Sequence, residues 1–151
     1  MPEFRQNLAT KEWVILAPQR GKRPSDFRHE RSISGPASPY QAECPFCAGN
    51  EDQTENPVYV FPPDGQWQVR VVPNKYAALQ PQLAATRTRV GSFLAAKGFG
   101  VAEVVIEHPR HDLTIATMEL SEVINILKAY RQRQAEISRN DRINLITVFR
   151  N

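Results

Sequence analysis

The sequence predicts an α+β fold in which an antiparallel sheet is covered by one long helix and left incomplete at its C-terminal end. Three observations lead there: separate short β-runs in the first two thirds, one amphipathic helical stretch near the end, and a last β-run reaching the final residues. At 151 residues with 41% hydrophobic content, the chain suits one domain rather than two. Charged residues make up 23% with both signs mixed, a composition that argues against wholesale disorder.

Residues 12–16 (EWVIL) form an apolar run rich in β-formers, stopped by Pro18, and read as the first strand. The basic segment Arg20-Gly21-Lys22-Arg23-Pro24 follows. Residues 28–43 turn to Ser, Gly, Pro and charge, the composition of an exposed loop. The two cysteines come next, in Glu43-Cys44-Pro45-Phe46-Cys47-Ala48-Gly49-Asn50, where Gly49 and Asn50 can both take positive φ and close a tight knuckle.

Residues 67–72 (WQVRVV) alternate and end at Pro73, giving a second strand with Asn74 and Lys75 at its exit. Residues 80–100 mix Pro, Thr, Arg and Gly with little periodicity and are expected to be a long surface loop. Residues 102–107 (AEVVIE) make a third strand, closed by His108-Pro109. A helix is expected from Ser121 as N-cap, with Glu122 suited to the macrodipole in its first turn. Leu120, Val123, Ile124, Leu127, Tyr130 and Ile137 supply its apolar stripe, and Arg131 and Arg133 its wet face. After a turn at Asn140-Asp141, residues 143–149 (INLITVF) read as a final strand. A β-run ending at the last residue is unusual for a complete domain, so a truncated chain is expected. An open sheet edge left there would favour a homodimer and marginal stability.

With 19 basic against 16 acidic residues the net charge is +3, and the isoelectric point near 9.1 is compatible with a phosphate-bearing ligand. A dense Lys/Arg block that would grip a nucleic-acid backbone is missing. No run reaches the roughly 18 apolar residues of a membrane span, and the first residues lack a secretory apolar region. A cytoplasmic, reducing setting is therefore expected.

In such a setting the single C-x-x-C of Cys44 and Cys47 points to metal binding before redox chemistry or two unrelated buried thiols. Two thiolates at this spacing can share a tetrahedral zinc, which needs further ligands, and His29, His108 and His111 are on offer. Pro109 restricts the backbone ahead of His111. A redox dithiol normally sits where a strand feeds a helix, whereas here a Ser/Pro/Gly loop precedes the pair. Arg20 and Arg23 could present guanidinium forks to a phosphate, although a solvated basic turn is the simpler reading. Asn74 and Asn151 each close a β-run, where a carboxamide bonds a ligand or caps a turn. Trp13, Trp67, Tyr130 and Phe149 are expected in the core.

Several of these pieces together resemble the galactose-1-phosphate uridylyltransferases of the histidine-triad superfamily. The resemblance runs through Glu12-Trp13-Val14, Pro18 to Pro24, Cys44 to Asn50, Val71-Val72-Pro73-Asn74-Lys75-Tyr76, Glu103 to Asp112 and Val148-Phe149-Arg150-Asn151, six segments in the family's order. It implies a histidine-triad-like antiparallel sheet. It also implies that Cys44, Cys47 and His111 are ligands of a structural zinc, and that Arg20, Arg23, Asn74, Lys75 and Asn151 line the nucleotide and phosphate pocket. In the family, a His-Pro-His histidine attacks UDP-glucose to form a uridylyl-histidine, which then passes UMP to galactose 1-phosphate. Such covalent catalysis divides one difficult transfer into two displacements, with cationic forks offsetting phosphoryl charge.

The chain departs from the family at its end: none of its three histidines lies in a His-Pro-His segment, because it stops before that motif, and the family's second, related half-domain is absent as well. His108-Pro109-Arg110-His111 has a different spacing and matches the zinc-ligand region. The first histidine of the missing motif is also the family's fourth zinc ligand, so this chain would supply three. The resemblance therefore implies the N-terminal portion of an enzyme acting on UDP-glucose and a hexose 1-phosphate, inactive by itself. Two rivals stand beside that expectation: a related sugar-nucleotide phosphorylase or adenylyltransferase, and a non-catalytic zinc module that binds a nucleotide or nucleic acid.

Overall fold

The structure, a computed structural model, describes residues 1–18 and 38–150. The chain divides into two compact units, one drawing on Met1–Ser32 and Tyr76–Ala102, the other on Ile33–Lys75 and Glu103–Asn151. Each carries one antiparallel sheet, and the second carries the helix.

In the first unit, strands β1 (Glu3–Gln6) and β2 (Trp13–Leu16) form a hairpin whose turn is held by Asn7 Oδ1, which accepts from the backbone N–H groups of Ala9 and Thr10. The expected first strand is thus present, with a partner before it that its Glu/Arg/Gln content concealed. Residues 80–100 are not the long loop their composition predicts. They hold β5 (Arg87–Val90) and β6 (Phe93–Lys97), paired across a two-residue turn in which Gly91 takes φ +59°. The order is β2-β1-β6-β5. Trp13 is not a core residue: it stays 36% exposed, with the Arg87 guanidinium 5.6 Å from the centre of its ring.

In the second unit, β4 (Val69–Pro73) is the central strand between β3 (Tyr59–Phe61) and β7 (Glu103–Ile106). Four successive β4 residues, Val69 to Val72, are buried, so both faces of this strand are covered. Side chains alternate along a strand. Val69 and Val71 face helix α1 (Leu120–Ile137), where Val69, Ile126 and Ala129 form the core with Tyr59, Val105, Met118 and Tyr130 packed around them. Arg70 faces the other way.

The helix differs from its expected form in three ways. Its N-cap is Glu119 rather than Ser121, because Glu119 and Glu122 form a reciprocal capping box. Its buried face centres on Ile126 and Ala129, while Leu120, Ile124 and Leu127 lie exposed. Apolar side chains occupy two stripes centred roughly 150° apart at 100° per residue, and only one meets the sheet. Arg133 is not on the wet face either. Its side chain is 13% exposed, and its guanidinium grips Glu103 on β7 with N···O distances of 2.7 and 2.9 Å.

Residues 143–149, expected as a final strand, form none. Their apolar β-formers have no ladder partner among the described residues, and Leu145 and Phe149 remain 82% and 75% exposed. The segment is tied instead through Arg150, whose Nε–H donates to Glu107 at 3.0 and 3.2 Å. Of the expected loop 28–43, residues 38–43 are described, as bends and turns. Among the described residues no helix is long and apolar enough to cross a membrane.

Candidate metal centre

On the sheet face opposite α1, residues 41–50 fold into a knuckle of successive turns. Backbone bonds run from the N–H of Cys44 to Gln41 O, of Cys47 to Cys44 O, and of Asn50 to Cys47 O, at 3.1, 3.3 and 3.2 Å. Gly49 takes φ +93°, as a tight knuckle requires, but Asn50 does not share the positive φ expected of it and stands at −113°. Asn50 acts through its buried side chain. Its Nδ2 donates to the carbonyls of Gln41, Ala42 and Cys44, and its Oδ1 accepts from the Tyr40 hydroxyl at 3.1 Å.

The third element is the loop leaving β7. His111 is fixed by its own backbone N–H, which donates to Pro39 O at 2.8 Å. Its Nδ1 lies 3.6 Å from Cys47 Sγ, and one ligand atom from each of Cys44, Cys47 and His111 falls within 4.8 Å of the others. A zinc ion with bonds of about 2.3 Å to sulfur and about 2.0 Å to nitrogen in a tetrahedral arrangement holds S and N roughly 3.6 Å apart. The group fits a metal of that kind. Burial pushes the Cys47 thiol above its ordinary range, so ionising it requires a compensating cation.

Of the other histidines, His29 lies outside the described residues. His108 belongs to a different arrangement: its Nε2 lies 3.1 Å from Glu122 Oε1, and its Nδ1 accepts the backbone N–H of Arg110 at 3.0 Å. That acceptor role leaves the proton on Nε2, which donates to the carboxylate. Glu122 is held below the usual carboxylate range, first by the Glu119 backbone N–H and then by His108. The helix start is thereby fastened to the loop that carries His111.

The residues expected around a nucleotide are placed as follows. Asn74 and Lys75 directly follow β4, Asn74 partly buried and Lys75 exposed. In the ladder Pro73 pairs with Glu103 and Arg70 with Ile106, so Asn74 and Lys75 leave one end of the β4–β7 pair and the His111 loop leaves the other. Arg20, Arg23 and Asn151 lie outside the described residues.

Sequence reading missed three side chains that build this site. Besides Asn50, these are Arg70 and Trp67. Trp67 is no simple core residue, since its indole N–H donates to Glu51 Oε1 at 2.6 Å; that bond is the main reason the Glu51 carboxyl is held low. An arginine inside the otherwise apolar run VRVV was the available signal for Arg70.

The family model described as "Galactose-1-phosphate uridyl transferase, N-terminal domain" matches residues 1–151. An ADP-glucose phosphorylase of Arabidopsis thaliana is 37% identical over 153 residues, covering 99% of this chain and 43% of that protein. A galactose-1-phosphate uridylyltransferase of Cryptococcus neoformans is 31% identical over 129 residues, covering 82% of this chain and 32% of that protein. The crystal structure of the Arabidopsis ADP-glucose phosphorylase with bound ADP-glucose superposes with a TM-score of 0.60 at 34% identity, over 96% of this chain and 41% of that one. The chain thus spans less than half the length of these relatives. Among the described residues two antiparallel sheets, one α-helix and a Cys-Cys-His group occur on a sequence matched from end to end, and the chain belongs to the galactose-1-phosphate uridyl transferase family, in its N-terminal domain.

Proposed function

We propose that this chain is the zinc-holding N-terminal portion of a nucleotidyltransferase that exchanges a nucleoside monophosphate between a nucleoside diphosphate hexose and a hexose 1-phosphate. The observation that carries this reading is the meeting of Cys44, Cys47 and His111 within 4.8 Å on a chain of this family. Cys44, Cys47 and His111 are the three protein ligands. Bound there, zinc crosslinks the knuckle to the β7 loop and balances the thiolate charge. Arg20, Arg23, Asn74, Lys75 and Asn151 are assigned to the nucleotide and phosphates, where guanidinium and ammonium groups offset phosphoryl charge and amides orient it.

For the family as a whole, transfer of UMP from UDP-glucose to galactose 1-phosphate is the reading the uridylyltransferase relatives support. A second reading, with an adenine nucleotide as donor, is favoured by the 37% identity to an ADP-glucose phosphorylase over 99% of this chain. Calorimetric titration with UDP-glucose and with ADP-glucose separates the two. Preference for the uridine compound supports uridylyl transfer, and preference for the adenine compound supports the second reading. Binding of neither, by a zinc-loaded folded chain, contradicts the nucleotide assignment. Because this sequence carries no His-Pro-His segment, the chain alone is expected to form no UDP-galactose from UDP-glucose and galactose 1-phosphate.

A further inference from the structure

Arg70 is 2% exposed, yet among the described residues no carboxylate lies within ion-pair distance of it. Its Nη1 donates to Thr54 Oγ1 at 2.9 Å and its Nη2 to the carbonyl of Pro45 at 3.4 Å. Its guanidinium carbon stands 5.1 Å from the centre of the Trp67 ring, and its Nε, also buried, has no hydrogen-bond partner. Burial disfavours this cation and the nearby Glu51 carboxylate offsets that only in part, without a direct ion pair, so its burial costs stability that an apolar side chain of similar shape at this strand position would avoid.

The arrangement around it gives the charge a use. Pro45 directly follows Cys44, one of two residues between the thiols, so the Nη2 bond falls on the backbone that spaces them. The same knuckle is held from a second side. Glu51 accepts the Trp67 indole N–H with one oxygen and the Gly49 backbone N–H, at 2.9 Å, with the other. Thr54 passes the connection on, since its hydroxyl accepts from Arg70 and donates to Glu51 O at 2.9 Å. Strand β4 therefore reaches both ends of residues 45–54 through one guanidinium.

We propose that Arg70 is the positioning residue of the metal centre, its guanidinium fixing Pro45 and Thr54 so that Cys44 and Cys47 stay aimed at the metal shared with His111. The proposal rests on the zinc reading above. Outer-shell partners of metal ligands act in this way by fixing ligand orientation before the metal arrives.

The test is zinc affinity of the 151-residue chain, measured by competition with a chromophoric chelator, beside the absorption spectrum of the cobalt(II) form. Arg70→Met is expected to weaken zinc binding by about 10–100-fold and to broaden and shift the cobalt–thiolate bands. Arg70→Lys, which keeps the charge and one donor, is expected to recover part of the loss. Thr54→Val, which removes one anchor of the guanidinium, is expected to weaken binding less than Arg70→Met and to alter the bands in the same direction. Arg133→Met removes another largely buried guanidinium of the same unit and serves as control. It is expected to leave zinc affinity within about twofold, because the sites are independent. Should Arg70→Met not fold, Arg70→Lys and Thr54→Val decide the matter. Wild-type affinity and an unchanged cobalt spectrum in the folded variants would overturn the role of Arg70. Failure of the unaltered chain to bind zinc would instead remove the reading beneath it.

Discussion

The backbone N–H of Ala48 donates to the carbonyl of Pro109 at 3.2 Å, joining the turn after Cys47 to the loop that carries His111. With the bond from His111 N–H to Pro39, two backbone contacts join the segment around the knuckle to the loop that carries His111. A metal held by Cys44, Cys47 and His111 would add a crosslink between two segments that backbone hydrogen bonds also join.

Zinc removal is accordingly expected to lower the melting temperature without erasing α1. Cys47→Ser and His111→Ala should each lower the zinc retained by the purified chain below one equivalent without removing it entirely, read by elemental analysis, and the helical circular dichroism at room temperature should persist. Loss of that helical signal on chelation would show that metal binding and folding are one event.

The helix offers a second test. Ile126 is buried against Val69, and Ile126→Ala is expected to cost about 2–5 kcal/mol. Leu127→Ala, one residue along on an exposed stripe, is expected to change stability by no more than about 0.5 kcal/mol. Urea titrations of both variants decide which stripe faces the sheet, since equal losses would place the helix in another rotation.

Those two residues also show where the sequence was legible. The apolar alternation of β4 and the helical period of α1 were plain, because burial imposes both patterns. The choice between the stripes was not, since Leu120, Ile124 and Leu127 are as apolar as the residues that pack. Strand β5 escaped because RTRV is exposed along its whole length; Gly91-Ser92, a hairpin signal between two β-runs, was the clue to it. Residues 143–149 erred in the opposite direction, because β-propensity does not make a strand without a neighbour to bond. In the site, Cys44, Cys47 and His111 were readable as ligands by residue type and by family resemblance. The roles of Asn50 and Arg70 depend on which carbonyls the fold brings to them, and residue type does not reveal that.

Glu122 gives a pH dependence. Its folded pKa lies below the ordinary carboxylate value, so its contribution is complete above about pH 4.3 and is lost as pH falls through the lowered folded value. Glu122→Ala should therefore destabilise the chain at pH 7 by about 1 kcal/mol, a typical loss for a helix cap. The difference from the unaltered chain should shrink on acidification below pH about 4. A difference independent of pH in urea titrations would assign the loss to packing rather than to the ionised cap.

Tyr130 gives the alkaline counterpart. Burial, and then its hydroxyl bond to Glu107 at 2.8 Å, push it up to about 12. Because the neutral form is favoured in the folded chain, this contribution is present below about pH 10 and is lost as pH rises toward 12. Glu107→Gln is expected to lower the Tyr130 midpoint, followed by phenolate absorbance with Tyr130→Phe as the assignment control. An unmoved midpoint would leave burial as the whole cause.

The most direct measurement is zinc K-edge X-ray absorption of the zinc-loaded chain. The expected spectrum shows two sulfur scatterers at about 2.3 Å and an imidazole nitrogen at about 2.0–2.1 Å, with one sulfur lost in Cys47→Ser and the imidazole pattern lost in His111→Ala. A first shell of oxygen and nitrogen alone, unchanged by either substitution, would contradict the metal centre on which the functional reading stands.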